Sequence, residues 1–374
     1  MKKTKILFFI PTLGHGGAER VLINLVNHMN QDKFDITLQT MFDVGIYQSQ
    51  IKEGIRYVGG HKRYFRGNTV VMKLLSPKVL YKHFIKEDYD VIVSYLEGPS
   101  ARVVSGCTNP NTKLISWIHI EQNTLKYASK SFRNVKEAIR CYDEFDRIVC
   151  VSETIKTDFQ TIFNWEKHID VVYNTVESDV IKTRAEETIE DVVFKKEEIN
   201  LISVAKLMYT KGYDRLINIT KRLKDEGFPI HTYIVGKGEE QGALEKQIAE
   251  CEIQDDWTFV GFQSNPYKYV RAADLYVCSS RREGFSTAVT EALIVGTPVV
   301  STNCSGAYEL LGYKNEYGIV TENDEESLYQ GIKKMLTEDN LAHYKKKAQV
   351  RGGEFNAKKT VQNAEELFEE VLNA

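Results

Sequence analysis

The chain has 374 residues, 42% hydrophobic and 27% charged, with a formal net charge of −3. This composition excludes a disordered or fibrous protein, and the length favours two domains because one hydrophobic core rarely extends so far. The charge is unevenly divided: residues 1–185 carry 26 basic against 20 acidic side chains, and the remainder carries 23 against 32. A basic and an acidic half indicate two domains with different partners.

Cysteine usage and hydropathy indicate the cellular compartment. The six cysteines lack the paired spacing of a zinc site or a disulfide framework: Cys107, Cys141, Cys150, Cys251, Cys278 and Cys304. We expect reduced thiols in a cytoplasmic protein. The apolar run Ile6 to Ile10 is too short for a secretory signal, and no run approaches the roughly 20 apolar residues that a membrane-spanning helix needs.

Strand and helix patterns alternate along the chain, which is typical of parallel sheets covered by helices. In the first half the predicted strands are Lys5–Ile10, Asp35–Thr40, Val91–Ser94, Lys113–Ile118, Arg147–Val151 and Ile169–Val172. In the second half they are Asn200–Val204, His231–Val235, Trp257–Val260, Leu275–Cys278 and Pro298–Ser301. The predicted fold is therefore α/β, with two Rossmann-like domains that face each other across a cleft.

The domain boundaries follow from one charged segment and one amphipathic tail. Residues 179–198 are charged and lack a sustained apolar period, so they are predicted to be a linker. The N-terminal domain then covers 1–178 and the C-terminal domain 199–354. Residues 355–374 repeat apolar side chains at helical spacing, and we expect this helix to pack back toward the N-terminal domain.

The stretch 281–291 carries most of the predicted chemistry. It follows a buried strand, so Glu283 lies in the loop after that strand and Glu291 about one turn into the next helix. The N–H groups from Phe285 to Thr287 begin this helix and offer an anion site. Because carboxylates accept hydrogen bonds from hydroxyls, the stretch suits a phosphorylated sugar at the carboxyl end of a strand. The alternative is two solvated glutamates without a shared role.

Two further loops follow the first strand of each predicted domain. A glycine-rich turn with Gly14, Gly16 and Gly17 precedes a helix, and glycines let the backbone adopt positive φ and approach a diphosphate closely. In the second domain, Lys206 and Lys211 lie between a strand end and a helix, where their charges would neutralise a departing diphosphate. A purely structural turn and a pair of solvated lysines are the alternatives.

These motifs together resemble the retaining glycosyltransferases of the GT-B fold, especially family 4. The resemblance covers nearly the whole length of the chain. It depends on six motifs in a fixed order: Gly16-Gly17-Ala18-Glu19-Arg20, Val172-Tyr173-Asn174-Thr175-Val176, the lysine pair, Val260-Gly261-Phe262, Ala273-Asp274-Leu275, and Glu283 to Glu291 followed by Gly296-Thr297-Pro298-Val299-Val300.

The resemblance implies a role for each motif residue. Glu291 would bind the ribose hydroxyls and Glu283 the hydroxyls of the donor sugar. The diphosphate would be held by Gly16, Gly17, Lys206, Lys211, Gly284, Phe285, Ser286 and Thr287, and the base would lie near Gly261 and Phe262. His119 matches the family histidine beside the reacting sugar and joins Glu283, Lys211 and Lys206 as a catalytic candidate, although a lone histidine at a strand end is more often structural.

One position departs from the family pattern, while the remaining motif residues imply the family mechanism. The family usually has arginine where this chain has Lys206, so the site grips phosphate more loosely or depends more on Lys211. The resemblance implies transfer with retention from a nucleotide-sugar, most plausibly UDP-linked, to a saccharide or lipid-linked acceptor. No metal, other cofactor or nucleic acid partner is expected, because lysines and helix amides stabilise the leaving diphosphate.

A basic stretch in the first half bears on the acceptor. Residues 61–86 hold seven basic side chains interleaved with apolar ones and no acid; the basic ones are Lys62, Arg63, Arg66, Lys73, Lys78, Lys82 and Lys86. This pattern suits anionic lipid headgroups or a lipid diphosphate at the inner face of the plasma membrane. A core-facing helix with a solvated basic face remains the alternative.

Two functions other than transfer also fit a GT-B chain. A nucleotide-sugar epimerase would need catalytic acids or bases in place of an acceptor surface. A catalytically silent sugar-nucleotide-binding partner of another transferase would be expected to show a damaged motif, whereas Glu283, Glu291, Lys211 and His119 are all present. The sequence therefore favours a transferase, without naming its substrates.

Overall fold

The computed structural model describes residues 3–14, 16–62 and 67–373. These residues form two compact units, Met1–Val176 with Ala357–Ala374, and Glu177–Asn356. The basic residues Arg63 and Arg66 of the predicted acceptor surface lie outside the described residues. None of the helices in the described ranges is both long and apolar enough to cross a bilayer.

The first unit consists of a parallel sheet with helices in its connections. Its strands are β1 (Thr4–Ile10), β2 (Phe34–Thr40), β3 (Arg56–Val58), β4 (Val91–Ser94), β5 (Lys113–Ile118), β6 (Arg147–Cys150) and β7 (Ile169–Val171). Its helices are α1 (Gly17–His28), α2 (Asn68–Leu74), α3 (Pro77–Phe84), α4 (Pro99–Val104), α5 (Leu125–Ala128), α6 (Val135–Asp143), α7 (Glu153–Phe163) and, from the end of the chain, α16 (Ala357–Asn373).

The second unit repeats this plan. Its strands are β8 (Ile199–Val204), β9 (Ile230–Val235), β10 (Trp257–Gly261), β11 (Leu275–Cys278), β12 (Val299–Thr302) and β13 (Ile319–Thr321). Its helices are α8 (Ser178–Ala185), α9 (Tyr213–Asp225), α10 (Gln241–Glu250), α11 (Tyr267–Ala272), α12 (Thr287–Ile294), α13 (Ala307–Leu311), α14 (Glu325–Leu336) and α15 (Asn340–Glu354).

Both sheets have the doubly wound strand order of a Rossmann-like domain. The seven strands of the first sheet run β3-β2-β1-β4-β5-β6-β7, and the six of the second run β10-β9-β8-β11-β12-β13. All pairings between these strands are parallel. The strand order reverses between β1 and β4 and between β8 and β11, and ligands bind such sheets at the carboxyl ends of the strands beside the reversal.

The strands are continuous apolar runs because helices cover both faces of a parallel sheet. In the second unit, side chains of β8, β9 and β11 pack with those of α9, α10 and α14; this core includes Leu201, Ile234, Leu275, Val277, Leu216, Leu223, Leu244 and Ile332. This continuous burial is the reason why the apolar runs in the sequence predicted the central strands so closely.

The C-terminal helix α16 returns to the first unit, as predicted. The Phe368 ring packs edge-to-face against Phe8 and Phe34, with ring centroids 5.8 and 6.2 Å apart. At the surface the Lys33 ammonium lies 2.8 Å from the Glu369 carboxylate. The apolar stripe of this helix therefore completes the core of the first unit.

The segment 179–198 differs from the predicted linker because it begins with the helix α8. The Arg184 guanidinium donates to the Ser264 carbonyl at 2.9 Å, and the Asn265 side-chain amide donates to the Arg184 carbonyl at 2.8 Å. Ile181 is buried in the same unit. The sequence did not predict this helix, because only a few of its positions are buried and its composition is charged, so it shows no sustained apolar period.

Truncation of Phe368 to alanine should destabilise the first unit by about 3–5 kcal/mol, since the ring fills a core position between two strands and the surrounding groups relax only partly. Denaturant unfolding with a spectroscopic probe measures the loss. Val44→Ala is the control, because the Val44 side chain is 42% exposed and its truncation should cost less than about 1 kcal/mol. Equal losses in the two variants would contradict the packing of α16 in this core.

Candidate functional site

The candidate site of the second unit lies at the reversal of its strand order. We call residues 205–212, after β8, the lysine loop and residues 279–286, after β11, the glutamate loop. Because β8 and β11 are adjacent and parallel, the two loops emerge side by side at the same edge of the sheet. The motifs that the sequence presents more than 60 residues apart are thus neighbours.

The two loops meet through the Lys211 ammonium and the Glu283 carboxylate. The Lys211 Nζ atom lies 2.6 Å from Glu283 Oε1, and the two side chains are only 20% and 15% exposed. The Ser280 hydroxyl donates to the same Oε1 atom at 2.6 Å. Burial acts to lower the pKa of Lys211, but the charge and hydrogen bond of Glu283 outweigh it, and the pKa is raised. Lys211 is therefore a protonated, paired cation.

Backbone contacts between the loops fix the position of this pair. The Ser279 hydroxyl donates to the Lys211 carbonyl, and the Arg281 N–H donates to the Thr210 carbonyl, both at 2.8 Å. Gly212 has φ +67°, and a Cβ atom on it would lie 2.1 Å from the Ser279 carbonyl oxygen. Only glycine allows the lysine loop to approach the glutamate loop this closely.

Two arginines strengthen the same junction. The Arg281 guanidinium pairs with both Asp214 oxygens at 2.6 Å and lies 4.2 Å above the centre of the Tyr209 ring. The buried Arg215 guanidinium donates two hydrogen bonds to the Ser279 carbonyl. Planar, bidentate contacts of this kind restrict both partners. The sequence predicted a role for neither arginine: Arg281 lies in the stretch 281–291 without an assigned function, and Arg215 lies outside every motif.

The helix after the glutamate loop begins as predicted. Ser286 is the N-cap of α12, and its hydroxyl accepts the Val289 N–H at 3.4 Å. The Val289 N–H is thus capped, and the Thr287 and Ala288 N–H groups before it lie at the helix N-terminus, where no preceding turn of helix offers them a carbonyl. Phe285 is buried, and Glu291, one turn along α12, is 5% exposed.

The other predicted donor residues of this unit occupy neighbouring strand ends. Gly261 ends β10 with φ +81°, and the following Phe262 side chain is 54% exposed. Lys206 is exposed in the lysine loop just after β8, whereas Lys211 is buried against Glu283. The structure thus distinguishes the two lysines, and Lys211 is the one held by a defined partner.

Beneath the glutamate loop, two buried thiols form a pair that spacing in the sequence did not reveal. Cys278 ends β11 and Cys304 follows β12. A hydrogen bond with the Cys304 thiol lowers the pKa of Cys278 to about 7, and the same bond raises the pKa of Cys304. All six cysteines are reduced thiols, as expected. In the described part of the chain, no group of three or more His, Cys, Asp or Glu side chains is arranged to hold a metal ion.

In the first unit, the glycine loop follows β1 as predicted but has a different conformation. Gly16 is the N-cap of α1 and has φ −83°, an ordinary extended value. None of Gly14, Gly16 and Gly17 has positive φ, so the turn does not use the conformational freedom that glycine offers. Positive φ occurs instead at Gly45, where it is +146° and a Cβ atom would lie 1.8 Å from the Leu13 carbonyl oxygen.

His119 follows β5 and is buried. Its ring packs against the Tyr95 ring at 4.6 Å between centroids, and its backbone N–H donates to the Glu97 carboxylate at 2.9 Å. Burial lowers the pKa of His119 to about 3, so the imidazole is neutral at physiological pH. Its Nε2 atom has no hydrogen-bond partner among the residues that the structure describes.

The basic stretch forms the helices α2 and α3. Lys62 and Lys78 are exposed and Lys73 is half-buried. Leu80 and Ile85 pack into the core, whereas four apolar side chains of the stretch are substantially exposed, Val70 (65%), Leu74 (75%), Leu75 (39%) and Val79 (49%). The surface of this stretch is therefore both basic and apolar. A core-facing helix with a solvated basic face accounts for Leu80 and Ile85, but not for the four exposed apolar side chains.

Two arginines hold the end of α2 in place. The fully buried Arg102 donates to the carbonyls of Met72 and Leu75, both at 2.7 Å, and pairs with Glu137 at 3.0 Å. Arg133 donates to the two carbonyls between them, those of Lys73 and Leu74, and its own N–H donates to Glu137. Helix C-terminal carbonyls need such donors, and a buried guanidinium is tolerated only when it is paired in this way.

Two family models together account for most of the chain. The model described as Glycosyltransferase Family 4 matches residues 15–180, and the one described as Glycosyl transferases group 1 matches residues 184–351. With two Rossmann-like sheets and paired charges at a strand-order reversal, the protein is a glycosyltransferase of the GT-B fold, an enzyme that builds glycoconjugates. Within that class the chain belongs to glycosyltransferase family 4.

Two bacterial relatives are similar to this chain over most of their length. The chain is 28% identical over 378 residues to the N-acetylgalactosamine-N,N'-diacetylbacillosaminyl-diphospho-undecaprenol 4-alpha-N-acetylgalactosaminyltransferase of Campylobacter jejuni, covering 96% of this chain and 98% of that protein. It is 23% identical over 322 residues to the amylovoran biosynthesis glycosyltransferase AmsD of Erwinia amylovora, covering 84% and 86%.

Solved structures share the fold. HepE of Anabaena, in complex with UDP-glucose, superimposes with a TM-score of 0.76 at 19% identity over 98% of this chain and 99% of that one. Sucrose-phosphate synthase of Thermosynechococcus elongatus gives 0.79 at 15% identity over 99% and 100%. The GT-B architecture that the resemblance implied is therefore confirmed.

Gly212→Ala should lower the free energy of unfolding by at least about 1 kcal/mol more than Gly227→Ala does. Both glycines have positive φ, but only the methyl group added at Gly212 would clash with backbone atoms. A Cβ atom on Gly227 would have nothing within 4 Å. Denaturant unfolding of both variants measures the difference. Equal costs would show that the lysine loop does not rest against the glutamate loop.

Proposed function

We propose that the protein is a retaining glycosyltransferase that moves a hexosyl or N-acetylhexosaminyl group from a UDP-linked sugar to a saccharide or lipid-linked acceptor. The observation that carries the proposal is the buried Lys211–Glu283 pair, whose glutamate lies in the loop that leads into α12. A cation and helix amides suit the diphosphate, and a carboxylate suits sugar hydroxyls. Glu291, on the same helix, would bind the ribose hydroxyls.

The relatives support the substrate classes. The Campylobacter jejuni relative is named as an N-acetylgalactosaminyltransferase acting on a sugar-diphospho-undecaprenol, and HepE was solved with UDP-glucose. A UDP-sugar donor and a lipid-diphosphate acceptor are thus compatible with the family. The proposal takes both as substrate classes and names neither the sugar nor the linkage position.

In the proposed reaction the protein mainly positions groups and stabilises charge. The acceptor hydroxyl oxygen forms a bond to the anomeric carbon on the face from which the diphosphate departs. The bond between that carbon and the phosphate oxygen breaks, and the acceptor proton passes to the leaving phosphate. Lys211 and the α12 amides balance the charge that develops, so the reaction requires no metal.

His119 and the glycine loop complete the proposal in the first unit. A neutral imidazole with an unpartnered Nε2 atom can exchange a hydrogen bond with a sugar hydroxyl without adding charge. Gly16 and Gly17 place the amides of the α1 N-terminus at the end of β1. The proposal assigns His119 to the donor sugar and the glycine loop to the diphosphate.

The donor assay measures release of UDP or GDP from a panel of nucleotide-sugars, with and without EDTA. We expect slow hydrolysis of one donor, unaffected by EDTA. Glu283→Ala, Glu291→Ala and Lys211→Ala should each reduce the rate by about 10²-fold or more, since each removes a group that binds or stabilises charge in the site.

Lys221→Ala is the matched control for the lysine variant, because Lys221 pairs with Asp225 on the exposed face of α9; its rate should remain that of the native protein. Tight donor binding without turnover, even with lipid and sugar acceptors, would favour a silent partner. Absence of binding to every donor would contradict the proposal.

The acceptor part of the proposal includes docking on an anionic bilayer through α2 and α3. Val70, Leu74 and Val79 would enter the headgroup region while the lysines of the stretch contact lipid phosphates. The contacts of Arg102 and Arg133 with the end of α2 support this role. They keep exposed apolar side chains in a fixed position, although this requires burial of the Arg102 charge.

Cosedimentation with phosphatidylglycerol vesicles tests the docking. The native protein should bind these vesicles and not phosphatidylcholine vesicles, and Leu74→Ser with Val79→Ser should weaken binding by about tenfold or more because two apolar anchors are lost. Val193→Ser is the control, since this valine is 88% exposed in the other unit. Equal binding of all three proteins would contradict a membrane role for α2 and α3.

A further inference from the structure

The Lys211–Glu283 pair balances the charges of the candidate site internally. Glu283 Oε1 accepts hydrogen bonds from the Lys211 ammonium and the Ser280 hydroxyl, both at 2.6 Å. The two charged side chains are largely withdrawn from water. A diphosphate that binds Lys211 must therefore compete with a carboxylate that already holds the ammonium, in a place where water screens the competition weakly.

Competition between the diphosphate and Glu283 for the Lys211 ammonium would also affect the Glu283 carboxylate. If the ammonium turns toward a phosphate oxygen, Glu283 Oε1 loses its charged donor and retains Ser280. A buried carboxylate without its cation is costly, unless another donor replaces the ammonium. The hydroxyls of a bound sugar are such donors, and the proposed function places them beside Glu283.

We infer that Glu283 is an exchangeable counter-ion of the donor site: the donor diphosphate takes Lys211 from Glu283, and the donor sugar then supplies hydroxyl donors to the vacated carboxylate. This inference rests on the proposed function and adds to it a coupling between the diphosphate and sugar subsites. After transfer the sugar has left, Glu283 lacks those donors, and the pair re-forms as UDP departs. The ion pair thereby favours release of the product.

The surrounding contacts suit a side-chain exchange of this kind. The lysine loop is held through its backbone, by Ser279 at the Lys211 carbonyl and by Arg281 at the Thr210 carbonyl. The loop therefore keeps its position when the Lys211 side chain changes partner. Lysine has a long flexible stem and rotatable donors, so the exchange requires no movement of the sheet.

The test is calorimetric titration of UDP into the native protein and its variants. Glu283→Gln removes the competing charge and keeps the shape, and it should bind UDP about five- to tenfold more tightly than the native protein. Glu283→Ala should also bind UDP more tightly. Lys211→Met should bind UDP at least about tenfold more weakly, and adding Glu283→Gln to Lys211→Met should restore nothing.

Glu326→Gln is the control for removal of a carboxylate, because Glu326 pairs with Arg222 on the surface of the same unit; its affinity for UDP should equal that of the native protein. Misfolding would weaken binding, so a gain in Glu283→Gln has no trivial structural cause. Equal or weaker binding of UDP by Glu283→Gln, with native binding intact, overturns the inference alone. Absence of UDP binding in both proteins overturns the proposed function as well.

Discussion

The junction between the loops after β8 and β11 is the constraint on which the candidate site depends. The lysine loop has a single short turn of 3-10 helix, Tyr209–Lys211, and gains its position from the glutamate loop. Gly212 allows the close approach, and the guanidiniums of Arg281 and Arg215 hold it. The Lys211–Glu283 pair exists because this junction brings together groups from two separate strand ends. Its charge balance and its capacity for exchange both follow from that position.

The two units use the same sheet topology for different chemical purposes. In the second unit, the charged groups of the site lie at the strand-order reversal and neutralise one another. In the first unit, the polar group after β5 is His119, which burial keeps neutral. The buried Arg102 of that unit, paired with Glu137, instead binds the carbonyls at the end of α2. In the proposed function, charge stabilisation and acceptor docking are thus separate tasks of separate elements.

The sequence predicted the central strands, such as Leu275–Cys278, because strands buried on both faces are continuous apolar runs. It missed β3 and β13 but located β7, an edge strand of the same three-residue length, so such short strands are only partly visible in the sequence. It located Lys211 and Glu283 individually through their motifs. Their ion pair was not predictable, because two residues 72 apart in sequence meet only through the order of the strands. The Arg281–Asp214 ion pair was not predictable for the same reason. The φ of Gly16 was not predictable either, because it depends on packing that no local sequence pattern records.

A crystal structure of the protein with UDP would test the central claim most directly. The account predicts diphosphate oxygens within about 3 Å of Lys211 Nζ and of the first-turn amides of α12. The Lys211 ammonium should have left Glu283 Oε1, while the hydrogen bonds from Ser279 and Arg281 to the lysine loop remain. A diphosphate bound away from this junction, or one bound beside an intact Lys211–Glu283 pair, would contradict the account.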